Sequence, residues 1–581
     1  MTASGEGSGG NRRLAFVALL LASSALALVI RVGYLQIVQH ETYREQARAE
    51  HWSRQPLLPQ RGAILDRNGA PLALSVTSYR IALDPASFRT EEGRDRTVRR
   101  LAEVLRRPAE PLLARVAAAP PESRAPIPLL DEVPHQEGLA VQESGLLGLV
   151  VEETVRRSYP EGSLAAGLLG FIGKDGEGLT GLEADFNRDL GGVPGSMLFE
   201  RDSLGDPIPF GYREVTPAVD GSNLVLTIDR YIQRMAEQRL EEAVTKHQAA
   251  GGIILVMEPY TGAVLAMASR PTYDLAALDL SRPPAQELFR NRAITDMYEP
   301  GSTFKVITMS AAINAGLVTP ETKYYDGGPV NKGGWIINTW NGQHFGWQTM
   351  TQLLMTSNNI GTVWLTDQLG PERFYHYVRA FGFGQPTNIG LSGEASGQLR
   401  WPDSPGWGTI DLATNSFGQA INVTPLQMVT AVSAVVNGGV LMRPSVVQEV
   451  EGPQGTRTYE PVVVRRVISE QTSADLRLMM NAVAERGQAR FGTVPGYHVG
   501  GKTGTAQVPR AGGYAPDATI ASFVGFAPLE APRFVALVRL DEPKDSPWGS
   551  TVAAPVFSAL AQDIFTAWRI PPAALVKRTE P

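Results

Sequence analysis

Hydrophobic and polar positions divide the chain into three stretches of different character. From Leu14 to Ile30 the sequence is apolar, broken only by Ser23 and Ser24 and preceded by Arg12 and Arg13. Val32, Leu35, Ile37 and Val38 let it continue as one helix. About 20 apolar residues cross a bilayer, fewer when flanking arginines reach the interface. Ala25-Leu26-Ala27 has the form of a signal-peptidase site, but it lies inside the apolar run. The reading adopted is an uncleaved membrane helix over residues 14–38, with residues 1–13 as a Gly/Ser-rich cytoplasmic tail. Arg12 and Arg13 favour that orientation, while Arg31, Arg44 and Arg48 on the far side make the signal modest.

Residues 39–215 alternate between short strand and helix patterns. A polar helix is expected over Gln39 to Gln55. Asp66-Arg67-Asn68-Gly69 is a hairpin turn signal, and Tyr79 to Asp84 alternates as a strand does. Val98, Leu101, Ala102 and Leu105 repeat at helical spacing among Arg96, Arg99, Arg100, Arg106 and Arg107, a solvated helix face. Ala117 to Gly138, rich in Pro and Ala, reads as loop or linker. Glycines in Gly178-Leu179-Thr180-Gly181-Leu182-Glu183 and Asp202-Ser203-Leu204-Gly205 fall at turn positions. Glu183 reads as a helix residue or a buried partner for an arginine. No catalytic constellation occurs in this stretch.

Residues 216–570 carry a different rhythm. Leu224 to Asp229 is strand-like, and Asp229 can cap a helix with an apolar face at Ile232, Met235, Ala236, Leu240, Ala243 and Val244. Gly252 to Met257 and Ala263 to Ala268 form a hairpin about Pro259-Tyr260-Thr261-Gly262. Residues 306–440 read mostly as helices and turns. Strands return at Gly500 to Val508, Thr519 to Phe526 and Arg533 to Leu540, followed by a helix from Ala553 to Trp568. These early and late strands are expected to make one antiparallel sheet. The terminal helices would cover one face of it and the helix after Ser302 the other, with a helical insertion between. Residues 571–581 are a tail.

Composition narrows the chemistry. The chain has 581 residues, a formal net charge of −6 and no cysteine. Disulfides, thiolate metal sites and a cysteine nucleophile are therefore excluded, and no basic stripe suggests nucleic acid. The 7 His residues form no ligand pair at helical spacing, so neither metal nor cofactor is expected. Of the 53 basic residues, 8 are lysine and 45 arginine. Arginine does not act as a base, so the position of each lysine is informative.

One lysine follows a serine by three residues, in Glu299-Pro300-Gly301-Ser302-Thr303-Phe304-Lys305. Pro300 and Gly301 can close a loop and start a helix. Ser302 would then sit in a first turn whose free N–H groups favour a developing anion, with Lys305 on the same face. A desolvated lysine can take a serine's proton. Alone, this pattern also describes an ordinary helix start. Two further motifs follow in order: Ser357-Asn358-Asn359, on a turn between helices, and Lys502-Thr503-Gly504-Thr505, in a strand. The expected chemistry is acyl transfer. Ser302 is the nucleophile, Lys305 its base and Ser357 a proton relay. Lys502 keeps Lys305 neutral by repulsion and, with Thr503, holds a carboxylate, while Asn359 binds a peptide amide. The N–H groups of Ser302 and Thr505 form an oxyanion hole. Gly500, Gly501 and Gly504 suggest close backbone approach by a ligand, so substrate would add as a strand along residues 502–507.

The three motifs resemble those of penicillin-binding transpeptidases. So do Tyr298 to Gly301, Gly418-Gln419 with Thr424-Pro425, and Gly501 to Gln507. Arg61 to Gly69 and Gly178 to Glu183 resemble the non-catalytic pedestal of class B members. The resemblance implies an α+β transpeptidase domain over 216–570: a five-stranded antiparallel sheet flanked by helices, plus a helical subdomain. It implies an elongated mixed pedestal of the dimerisation type over 39–215. The implied activity is crosslinking of peptidoglycan stem peptides by D-alanyl-D-alanine transpeptidation at Ser302, Lys305 and Ser357. Asn359, Lys502, Thr503, Gly504 and Thr505 would bind substrate, and β-lactams would acylate Ser302. The implied setting is a single-pass protein of the bacterial inner membrane with its catalytic domain outside. Its partner would be a multispanning glycan polymerase of the shape, elongation, division and sporulation type. Tyr298 to Gly301 and Asn415 to Gly418 look more like division-type than elongation-type members. A β-lactam-hydrolysing or β-lactam-sensing enzyme and an inactive scaffold are the competing readings.

Overall fold

The computed structural model describes residues 8–44, 52–120, 125–200, 208–510 and 513–573. The turn expected at Asp202 to Gly205 and most of the C-terminal tail lie outside them. By packing, the chain divides into two compact units, residues 1–59 with 192–220 and residues 60–191 with 221–581.

The first unit holds a helix from Ser8 to Gly33 that continues as a π-turn through Val38. Arg12 to Val38 is long and apolar enough to cross a membrane, and none of its most apolar stretch is buried. A three-stranded antiparallel sheet follows, with Gly195–Glu200 between Trp52–Leu57 and Arg213–Thr216. The polar helix expected to reach Gln55 is therefore corrected at its end. Trp52 to Leu57 pairs residue for residue with Glu200 to Gly195, which a helix cannot do.

In the second unit, a seven-stranded sheet is built around the long strand Pro71–Leu83. That strand pairs with Leu149–Ser158 along one edge and with Ile127–Pro134 and Ile64–Leu65 along its length. Asn223–Leu226, Val447–Gly452 and Gly455–Thr458 extend the same sheet. The hairpin turn expected at Asp66 is present. Asp66 Oδ1 accepts from Asn68 N and Ala70 N, and Oδ2 accepts from Arg230 N at 3.1 Å. Helices Glu91–Val104, Glu110–Ala117 and His135–Glu143 bury Val98, Leu101, Leu112, Val116 and Val141 against Tyr79, Ile81 and Leu83. The linker expected over 117–138 is corrected, since Ile127–Pro134 is a strand with Ile127, Leu129 and Val133 buried. Glu183, in the short helix Gly181–Asp185, is fully buried and accepts from Arg61 Nε at 2.6 Å and Arg157 Nε at 2.7 Å.

A second sheet carries the strands β1 (Gly251–Met257), β2 (Val264–Arg270), β3 (Gly500–Arg510), β4 (Gly513–Ala527) and β5 (Phe534–Asp541). All pairings are antiparallel and the order is β2-β1-β5-β4-β3. Every residue of β1 and β5 is buried, so both faces are covered. Helices of this part include α1 (Arg230–Lys246), α2 (Lys305–Asn314), α3 (Met350–Thr356), α4 (Asn359–Ala380), α5 (Pro425–Val436), α6 (Glu470–Arg486) and α7 (Ala554–Ala567). Asp229 caps α1 as expected, accepting from Tyr231 N and Ile232 N. α1 and α7 pack together on the sheet and are joined by Arg239 and Asp563 at 2.8 Å.

One expectation changes here. α5, buried at every position, and α6 pack on the sheet, while the body of α2 packs against α4, α5 and α6. Only the turn before α2, Gly301–Phe304, reaches β3. The stretch 306–440 also contains short antiparallel pairs, Lys323–Asp326 with Gly346–Thr349 and Val330–Lys332 with Trp335–Ile337.

Candidate active site

Ser302 stands in a single 3-10 turn, Gly301–Phe304, that opens α2. The turn is held from outside by Gly301 N, which donates to Gly418 O at 2.9 Å. Gly301 has φ +55° and Gly418 φ +79°, and a Cβ on Gly418 would lie 2.2 Å from Gly301 O. Glycine at 418 is therefore a steric requirement of the Ser302 turn. Glu299, just upstream, is buried and accepts from Ala420 N and Tyr514 Oη, both at 3.0 Å. Burial pushes its carboxyl upward.

One turn into the helix, Lys305 is fully buried. Its Nζ donates to Ser357 O at 2.6 Å, Ser357 Oγ at 3.1 Å and Asn359 Oδ1 at 2.6 Å. Lys502, on β3 and also fully buried, donates from Nζ to Ser357 Oγ at 3.0 Å and to Thr503 O at 3.1 Å. Two lysines from distant parts of the chain thus converge on one hydroxyl. Burial and then the neighbouring Lys502 hold the Lys305 ammonium well below the usual lysine range. Burial alone pushes Lys502 down to about 7.

Ser357 is presented by an unusual backbone. It ends α3 with φ 55° and ψ 46°, the left-handed region, which a non-glycine residue occupies at some cost. Asn359 begins α4, and its Nδ2 donates to Asn338 O at 3.0 Å while Oδ1 receives Lys305.

An open cleft of about 820 Å³ lies over these groups, with Ser302, Ser357, Asn359, Thr503 and Thr505 on its walls. Lys305 thus donates to Ser357 and Asn359, and the Ser302 hydroxyl is not among its acceptors. Such contacts often tighten only when substrate binds. β3 is an edge strand, as expected, and Thr505 Oγ1 accepts from Gly549 N at 3.2 Å. The glycines of β3 serve packing. Cβ atoms on Gly500 and Gly501 would strike the rings of Phe526 and Phe523, and one on Gly504 would lie 2.8 Å from Pro300 O. The close approach at these three positions is made by this chain's own residues.

Two cleft residues had no signal in the sequence. Trp340 and Trp548 meet edge to face with ring centroids 5.2 Å apart, and both line the cleft. Neither sits in a motif, and only folding brings them together.

Residues 252–562 match the family model for the penicillin binding protein transpeptidase domain, and residues 56–226 that for the penicillin-binding protein dimerisation domain. Stage V sporulation protein D of Bacillus subtilis is 37% identical over 564 residues, covering 95% of this chain and 85% of the relative. Peptidoglycan D,D-transpeptidase FtsI of Escherichia coli is 32% identical over 558 residues, covering 95% and 91%. Penicillin Binding Protein 2X from Streptococcus thermophilus has a similar structure, with a TM-score of 0.75 at 26% identity, covering 90% of this chain and 82% of that one. Penicillin binding protein 3 from Mycobacterium tuberculosis, complexed with aztreonam, gives 0.69 at 29% identity, covering 89% and 98%. With both family domains in tandem and relatives aligned along nearly its whole length, the chain belongs to the class B penicillin-binding proteins.

Proposed function

We propose that this chain is a peptidoglycan D,D-transpeptidase that crosslinks stem peptides through an acyl-enzyme on Ser302. The observation that carries the reading is the convergence of Lys305 and Lys502 on Ser357 Oγ, at 3.1 and 3.0 Å, beneath a cleft that Ser302 lines. Lys305 is held toward its neutral form by burial and accepts the Ser302 proton as Oγ attacks the penultimate D-alanyl carbonyl. The C–N bond to the terminal D-alanine breaks, and Ser357 relays a proton to the departing amine. N–H groups of Ser302 and Thr505 stabilise the oxyanion, where a missing donor typically costs about 3 kcal/mol. Lys502 and Thr503 hold the substrate carboxylate, Asn359 holds a peptide amide, and the chain of Gly504 and Thr505 offers an edge to the peptide. An amine of a neighbouring stem peptide then attacks the ester and releases Ser302. β-Lactams enter the same path as mimics of the acyl donor and stop at the ester.

Residues 14–38 anchor the protein with residues 1–13 in the cytoplasm and the catalytic part outside. Residues 39–215 act as a pedestal without glycan-polymerising activity, and residues 216–570 as the transpeptidase. The partner is a multispanning glycan polymerase of the shape, elongation, division and sporulation type, reached through residues 14–50 and the pedestal. Division is favoured over elongation, on Tyr298 to Gly301 and Asn415 to Gly418. Co-purification with each candidate polymerase assigns the pathway.

A fluorescent penicillin tests the chemistry. Stable labelling of the full chain, lost in Ser302→Ala with an unchanged thermal midpoint, is expected. Labelling that persists in Ser302→Ala would remove Ser302 from its role, and rapid release of label would indicate a hydrolase.

A further inference from the structure

Asn358 separates two motif residues that face the cleft, yet its own side chain turns away and is fully buried. Oδ1 accepts from Gly361 N at 3.1 Å and caps α4. Nδ2 donates to Asp326 Oδ2 at 2.9 Å and to Gln348 Oε1 at 3.0 Å. Asp326 is only 2% exposed and ends the strand Lys323–Asp326. The same Oδ2 accepts from Phe345 N at 3.1 Å, and Oδ1 accepts from Gly328 N at 3.1 Å. One carboxylate oxygen therefore ties the Ser357–Asn359 turn to Phe345, a cleft-wall residue.

This arrangement has a definite polarity. Buried carboxylates require donors, and the amide of Asn358 supplies one. An aspartate at 358, as in the Ser-Asp-Asn form of the motif, would turn a second acceptor on Asp326. Ser357 meanwhile holds a left-handed backbone that persists only where its surroundings fix it. From the cleft side it is gripped by Lys305 and Lys502. On the far side the grip is Asn358 on Asp326.

We propose that Asp326 is a positioning residue for acyl transfer: through Asn358 it holds the turn that presents Ser357 Oγ to Lys305 and Lys502. The proposal rests on the reading of Ser302 as the acylated residue. No motif marks Asp326, which reaches the turn only through the fold.

The test uses the full chain with Asp326→Asn and Asn358→Asp. The measurements are thermal midpoint, second-order acylation by fluorescent penicillin across pH, and the ¹³Cε titration of the lysines by NMR. Each single variant is expected to slow acylation about tenfold or more, the scale of a lost charge-assisted hydrogen bond, and to displace its pH profile. Singles that fold and acylate with the original rate and profile would overturn the proposal. Should one single variant fail to fold, the other breaks the same Asp326–Asn358 bond from its opposite end and carries the test. The lysine titration is independent of acylation. A wild-type chain that fails to label would sink the Ser302 reading alone, whereas unmoved Lys305 and Lys502 titrations in folded Asp326→Asn would sink the positioning role.

Discussion

Lys502 shows how a single buried group links chemistry to stability. Its ammonium is pushed down to about 7 in the folded chain by burial, while an unfolded lysine keeps its proton to about 10.4. Between those values the unfolded state binds more protons, so stability rises with pH across that window. Below about 7 both states are charged and the cost of burying that charge is felt in full. Lys502→Met removes the titration while keeping a long side chain. The thermal midpoint of the wild type, taken relative to this variant, is therefore expected to climb from neutral toward alkaline pH. A difference that stays flat would show that Lys502 is not held low. Lys305 is likewise held well below the usual lysine range, by burial and then by Lys502, which suits it to the proposed role of base.

The packing of elements is where sequence and structure part company. The capping Asp229, the Asp66 turn and the hairpin at Pro259 to Gly262 were legible because local chemistry alone specifies them. Ser302, Lys305, Ser357, Asn359 and Lys502 were legible as motifs. Ile127–Pro134 was not, since its prolines read as linker and its pairing with Pro71–Leu83 is supplied from far away. The αL backbone of Ser357 and the Asp326–Asn358 bond are equally non-local. The strand pattern suggests a ligand-facing reason for Gly504, whereas its space is taken by the Ser522 hydroxyl and by Pro300 and Thr303 around the Ser302 turn. Gly504→Ala is thus expected to cost about 1–3 kcal/mol by overpacking and to slow penicillin acylation by shifting that turn. Urea unfolding and labelling rates check both, and unchanged values would mean the turn can retreat freely. Glu183 offers a second test. Its carboxylate lies between Arg61 and Arg157, whose side chains are 8% and 3% exposed. Glu183→Gln leaves two buried guanidinium groups without their anion, and a loss of about 3–5 kcal/mol in unfolding free energy is expected. A loss below experimental error would mean that water reaches the site.

Across the whole molecule, order along the chain and order in space diverge. The seven-stranded sheet combines Ile64–Leu65 with Asn223–Leu226 and Val447–Gly452, so residues of both family domains share one set of backbone bonds. In the other sheet, β5 is the last strand in sequence yet lies between β1 and β4. Without it, the early hairpin β1–β2 and the late hairpin β3–β4 have no hydrogen-bonded link. A chain stopped before Phe534 contains Ser302, Lys305, Ser357 and Lys502 but is expected to take up no fluorescent penicillin. Labelling of such a chain would mean that helices alone align the lysines. Non-local pairing of this kind folds slowly. During synthesis, then, the chain carries Ser302, the proposed nucleophile, for a long interval before its cleft is complete. Antibiotic in the surroundings meets a target only after the closing strand has arrived, and unfinished copies escape it.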